Sequence, residues 1–267
     1  MPTLTGMDSC LGSTLSSHTG VFSSWQPMIP ILMYHQVDIP AAKGTPFRSL
    51  TVHPKRFANQ MRWLKRLGYT GLSMRDIMPY VRGVKQGKVI GLTFDDGYQN
   101  VYRNVLPLLN ELGFTATNYI VSNHLGGTNF WDAENGVPSS TLMNQNEIMQ
   151  WVDAGHEIGS HTQDHVYLTR ITTAEAKKQI AQSKTDLERL LGIEVDSFCY
   201  PYGHKNAEIQ QWVAECGYLN ATTTARGLAL NDDDPFDLPR VNITRSTHIF
   251  HFLQKCLTKK EHQKRQR

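Results

Sequence analysis

The stretch Val89–Asn100, VIGLTFDDGYQN, decides how the chain is read. From Val89 to Phe94 it is mostly apolar, as in a strand buried on both faces, and it then sets Asp95 and Asp96 side by side before Gly97. Two like charges at the end of a buried strand cost free energy unless a positive charge lies between them. The pair is therefore either a solvated turn or one side of a cation site.

Similar short apolar or β-branched runs recur along the chain. Residues 31–35, 115–121, 156–160, 196–200, 218–223 and 240–243 read as strands beside 89–94. Helical patterns lie between them. Phe57, Met61 and Leu64 follow Pro54 at helical spacing and stop at Gly68, and a second helix runs from Tyr98 to Leu112 before Gly113. Asn144 with Glu147, and Thr172 with Glu175, have the spacing of capping boxes. They open helices that end near Gly155 and at Gly192, and a further helix from Asn206 to Cys216 closes at Gly217. Alternating strand and helix predicts an α/β chain with a mostly parallel sheet and helices outside it. At 267 residues it fits one domain of barrel size.

In that class the loops at the C-terminal ends of the strands converge, so the polar residues there can be compared. Asp95 and Asp96 follow one strand, His161 and His165 another, Tyr202 and Gly203 a third, and His35 ends PILMYH. Two histidines four apart share one face of a helical turn and can grip one ion. Two histidines and a carboxylate make a divalent metal site with open positions, suited to zinc or to iron, cobalt or nickel. One aspartate of the pair then binds the cation, and the other is free to act as a base.

Composition limits the alternatives. No run approaches the ~20 apolar residues of a membrane span, and Met1–Pro30 lacks the basic start and apolar core of a secretory signal, so the chain as written is expected in the cytoplasm. An extracytoplasmic location would require a different or processed N-terminus. Cys10, Cys199, Cys216 and Cys256 show no C-x-x-C spacing and read as reduced thiols. Residues 1–28, rich in Ser, Thr and Gly, are expected to form a mobile leader, with the folded domain over 29–253. Of the net charge of +3, residues 255–267 carry +5, which leaves −2 for the rest. The segment 254–267 thus reads as a frayed basic tail; it has no interleaved aromatics, so no nucleic-acid partner is expected, and contact with an anionic surface is the alternative.

Three motifs in order, TFDDG (Thr93–Gly97), SHTQDH (Ser160–His165) and CYPYG (Cys199–Gly203), resemble those of the polysaccharide deacetylases, the NodB-homology group of metal-dependent carbohydrate esterases. The resemblance spans about residues 30–243. It implies a single distorted (β/α) barrel of about seven strands and hydrolysis of N-acetyl groups on N-acetylglucosamine-containing glycans. It also implies metal ligation, usually of zinc, by Asp96, His161 and His165, with Asp95 as general base and the Tyr202 backbone N–H in an oxyanion hole. Two departures matter. Many members carry Arg where this chain has Cys199; Arg240 of DLPR is expected to substitute by pairing with Asp95. Many members also place a catalytic histidine near the C-terminus, whereas here LMYH stands on the first strand, as in the circularly permuted subset that includes the poly-β-1,6-N-acetylglucosamine deacetylases. His35 is accordingly expected as general acid, working opposite Asp95, with His248 and His251 next in line. Trp131, Phe130 and Tyr202 are candidates to stack on sugar rings. The same chemistry on peptidoglycan, chitooligosaccharide or a non-carbohydrate amide is the first alternative, and a catalytically silent sugar-binding module the second.

Overall fold

A computed structural model describes residues 28–265. The leader expected over 1–28, with Cys10 in it, lies outside the described residues apart from Met28. Ten strands are present: β1 (Ile31–Tyr34), β2 (Gln36–Val37), β3 (Thr51–Val52), β4 (Thr70–Leu72), β5 (Val89–Phe94), β6 (Thr117–Ile120), β7 (Glu157–Ser160), β8 (Ser197–Cys199), β9 (Asn220–Arg226) and β10 (Leu238–Asn242). The helices are α1 (Pro54–Arg66), α2 (Met74–Val81), α3 (Gln99–Leu112), α4 (Gln145–Asp153), α5 (Thr173–Leu191), α6 (Ala207–Glu215), α7 (Ile249–Leu257) and α8 (Lys260–Arg265).

Seven parallel strands close into a ring in the order β1-β10-β9-β8-β7-β6-β5, with β5 pairing back to β1. These are the seven strands read from sequence, and the fold is the expected (β/α) barrel. β4 adds to the ring from outside: it pairs with the first half of β5, and β6 takes the second half of the same edge.

Alternation along each strand sorts the side chains. Leu32 and Tyr34 of β1, and Ile90, Leu92 and Phe94 of β5, face outward and form one apolar cluster with Phe57, Met61 and Leu64 of α1 and Val101 and Val105 of α3. Phe94 stacks on Tyr34 at 5.4 Å and meets Phe57 and Trp151 edge-on. The inward set is more polar. One end of the interior is closed by Glu157, whose carboxylate accepts from Thr117 and Ser197 hydroxyls at 2.6 Å and from the Arg75 backbone N–H at 2.8 Å. Continuing the inward period gives Met33 then His35 just past β1, Thr93 then Asp95 just past β5, and Leu238 then Arg240 within β10. The catalytic candidates are therefore the next inward positions of a pattern that the core already fixes.

The C-terminal segment differs from the expectation. Its described part, residues 254–265, is not a frayed tail: α7 and α8 pack on the rest of the fold and bury Lys255 and Glu261. Glu261 takes Lys264 at 2.9 Å, Arg226 at 3.1 Å and Lys255 at 4.0 Å, while Arg265 pairs with Asp233 at 2.6 Å. Glu261 thus gathers two of the segment's cations, Lys255 and Lys264, together with Arg226 of β9, and Asp233 takes a third, Arg265. Cys199, Cys216 and Cys256 are free thiols. No described helix is long and apolar enough to cross a membrane.

Candidate active site

The strand ends carrying the motifs converge on one cavity of about 460 Å³, lined by His35, Asp95, Asp96, His161, His165 and Tyr202, among others. Its floor is an ion pair. Arg240 reaches across the barrel from β10 and grips Asp95 with both arms, Nη1 donating to Oδ1 at 2.7 Å and Nη2 to Oδ2 at 2.8 Å. The other three N–H groups of the guanidinium donate to Thr223 O, Thr93 Oγ1 and Cys199 Sγ, so all five donors are used. The pairing expected from DLPR is thus made, and Cys199 supports it through a sulfur acceptor. Burial pushes the Asp95 carboxyl up, but the charge and hydrogen bonds of Arg240 more than reverse this and hold it below the ordinary carboxylate value. Both partners are almost fully buried. Arg240→Met should therefore destabilise the fold by about 3–5 kcal/mol, the usual loss when one member of a buried pair is removed, unless Asp95 takes up a proton and reduces it. Denaturant unfolding of the variant, with Asp95→Asn/Arg240→Met recovering part of the loss, checks this.

Asp96 turns the other way. Its Oδ1 lies 3.4 Å from His161 Nε2 and 3.2 Å from His165 Nε2, and the three donor atoms form one compact group. Two donors bound at 2.0–2.1 Å to one ion at a tetrahedral angle stand about 3.3 Å apart, so the set fits a divalent metal. The tautomer fits as well. His161 Nδ1 donates to the Cys199 carbonyl at 2.8 Å, so Nε2 is the nitrogen turned to Asp96, and it becomes a metal ligand on losing the proton that it donates there. Burial lowers the His165 pKa and favours the neutral, ligating form. Burial opposes ionisation of Asp96, yet hydrogen bonds from the two histidines hold its carboxyl well below the ordinary value.

The histidines do not share a helical turn, as their spacing suggested. Residues 161–165 form a tight turn in which Thr162 and His165 have φ of 67° and 55°. Gln179 of α5 fixes that turn by accepting from the backbone N–H groups of Gln163 and Asp164, and the Thr162 hydroxyl accepts from His165 N. Asp164 is tied in turn to Asn123, His124 and Gln179. Asp96, Thr162, His165 and Tyr202 are four of the five described non-glycine residues with positive φ. Each such conformation costs ~1–3 kcal/mol and persists only where its surroundings enforce it. The strain is concentrated in the loops that build this cavity.

Tyr202 stands at φ 57° on the turn after β8, and its backbone N–H makes no hydrogen bond to the described residues. Gly203 follows at φ +74°, where an added Cβ would come within 2.0 Å of Thr224 Oγ1, so only glycine fits. The Tyr202 ring stacks on Tyr167 at 3.9 Å and meets His165 edge-on at 4.6 Å. Trp131 is half-buried, and its ring lies parallel to that of His165 at 4.8 Å. Phe130 packs edge-on against His124 and is absent from the lining.

His35 Nε2 lies 3.9 Å from Asp95 Oδ2. The first strand does sit beside the later ones, between β5 and β10, but the two side chains are neighbours and not on opposite flanks as expected. His248 caps α7 and His251 follows in it, and neither reaches the cavity. Sequence reasoning missed Asp132, a buried carboxylate on a short 3-10 turn (Phe130–Asn135) that also lines the cavity. Burial raises its pKa, and Asp96 adds to the effect.

The family model for polysaccharide deacetylases matches residues 82–221. Bacillus subtilis (strain 168) YxkH, which bears that family's name, is 28% identical over 218 residues, covering 81% of this chain and 71% of its own. A Staphylococcus epidermidis protein named poly-β-1,6-N-acetyl-D-glucosamine N-deacetylase is 23% identical over 207 residues, 74% of this chain and 69% of its own. Among solved structures, the Streptococcus pyogenes deacetylase PplD in complex with acetate superposes with a TM-score of 0.76 at 25% identity, over 87% of this chain and all of that one. The model match takes in β5 to β8 with both aspartates and both histidines, and the structural match extends over the ring that holds them. This chain belongs to the polysaccharide deacetylase family and is a hydrolase of carbon–nitrogen bonds.

Proposed function

We propose that the chain removes N-acetyl groups from N-acetylglucosamine-containing poly- or oligosaccharide, releasing acetate, with zinc held by Asp96, His161 and His165. Cobalt, nickel or iron(II) suits the same donors. The observation that carries this reading is the placement of a compact Asp-His-His group beside a second, Arg-anchored aspartate and a histidine in one cavity. The name of the Staphylococcus epidermidis relative favours an N-acetylglucosamine polymer as substrate.

A divalent ion in that site supplies Lewis acidity, which polarises an acetamide carbonyl and acidifies water. The chain supplies the rest. Asp95, fixed by Arg240 in one orientation, takes the proton of the attacking water. The Tyr202 N–H donates to the carbonyl oxygen as it gains charge, a contact typically worth about 3 kcal/mol. An amine leaves only once protonated, and His35 gives that proton to the nitrogen.

Acetate release should be measured on β-1,6- and β-1,4-linked N-acetylglucosamine oligomers, peptidoglycan and a small aryl amide, with metal content determined on the same preparation. One divalent ion per chain and turnover of at least one N-acetylglucosamine oligomer are expected. His161→Ala should lose the ion and the activity together. Undiminished metal in that variant would remove the site from consideration, and turnover of the aryl amide alone would move the substrate away from glycans.

A further inference from the structure

Five carboxylates are buried among the described residues: Asp95, Asp96, Asp132, Glu157 and Glu261. Four have an evident reason to be there. Asp95 is gripped by Arg240, Asp96 faces two histidines, Glu157 takes three hydrogen bonds, and Glu261 holds three cations. Asp132 has one protein donor, the Tyr202 hydroxyl, at 3.4 Å from Oδ1. That is longer than an ordinary O–H···O bond, and an ionised carboxylate has about four acceptor positions. With the residue 6% exposed and one long protein contact, the remaining acceptor positions of Asp132 face the cavity, where water or a bound molecule must donate to them.

What donates is limited by where Asp132 lies. It lines the cavity that holds the Asp96 group but is outside the compact donor set, so it is not placed as a ligand of the same ion. Its position is nonetheless tied to that group, because adjacent Trp131 lies against His165 and Tyr202 meets His165 on an edge. An acceptor-only side chain cannot bind the acetamide carbonyl. It can bind hydroxyl groups, which surround the acetamide of a sugar.

We propose that Asp132 is a substrate-positioning residue that accepts hydrogen bonds from hydroxyls of the sugar ring carrying the acetamide. The inference rests on the glycan reading above and assigns the residue that recognises the ring itself. It explains why a buried acid is kept without a protein cation and why its turn is packed against a metal-ligand candidate.

The test is a cycle between enzyme and substrate. Wild type and Asp132→Asn are assayed on an N-acetylglucosamine oligomer and on analogues lacking single hydroxyls of the reacting ring, with metal content measured for each protein. Asp132→Asn should lose about 10- to 100-fold in kcat/KM on the parent sugar, as expected for a hydrogen bond to a charged group. Removing the partner hydroxyl should impose a similar penalty on wild type and almost none on Asp132→Asn, while penalties at other hydroxyls stay the same in both. A merely structural role would leave every hydroxyl penalty equal in the two proteins, and that result overturns the proposal. So does reduced metal content in Asp132→Asn, which would assign the carboxylate to the ion. Should Asp132→Asn not fold, Asp132→Ser repeats the cycle. Wild type that holds metal but releases no acetate from any N-acetylated sugar would overturn the glycan reading and this inference together, whereas an active wild type with equal penalties overturns this inference alone.

Discussion

Asp95→Asn is expected to abolish acetate release while keeping the metal, and Asp96→Asn is expected to lose both. The two residues are adjacent and chemically identical, so only position separates them. Asp95 points into the barrel, where Arg240 occupies both of its oxygens at 2.7 and 2.8 Å. Asp96, turned by a φ of 76°, points to the two histidine Nε2 atoms. For Asp95→Asn the loss in kcat should be at least the ~10²–10⁴ that one positioned base usually contributes, which takes acetate release to background. The variant also leaves Arg240 buried beside a neutral amide, so it should unfold at lower denaturant concentration, and metal content must be read on protein whose circular dichroism shows it folded. Equal metal loss in both variants would contradict the division of roles.

His35→Ala should keep metal and fold and lose about 10²–10⁴ in rate on N-acetylglucosamine oligomers. The effect depends on the leaving group. An activated aryl acetate departs without a proton, so it should retain most of its hydrolysis in the same variant. Because His35 is the inward position just past β1, and β1 lies between β5 and β10, removal of the ring changes the cavity wall and not the strand pairing. Wild-type rates on the oligomers would end the assignment. His248 and His251 would not replace it, since α7 keeps both out of the cavity.

Much of this was readable before any coordinates because the barrel strands are short apolar or β-branched runs with helices between them. All seven ring strands, the capping box at Asn144 and Glu147, and the stops at Gly113 and Gly192 lie where the sequence puts them. The missed elements have weak local signals. β4 is three residues with a central glycine, α2 contains Pro79, and α8 is hidden by a basic composition whose partner, Glu261, is a single acid. At the site, the metal-ligand candidates and the Arg240–Asp95 pair follow from residue type and strand position. The backbone that aims them does not. Spacing alone made His161 and His165 a helical pair, whereas two left-handed residues and the Gln179 anchor produce the same convergence on a turn. Asp132 gave no signal because a 3-10 turn has no period, and the burial of its carboxylate depends on contacts that sequence does not carry.

The most direct test of the central claim is acetate release from N-acetylglucosamine oligomers before and after a chelator strips divalent metal, followed by metal return. Turnover is expected in the starting protein, with loss when the metal is removed and recovery when zinc or cobalt is restored to about one ion per chain. Turnover that survives complete removal of the metal, or a protein with its full ion that releases no acetate, would contradict the claim.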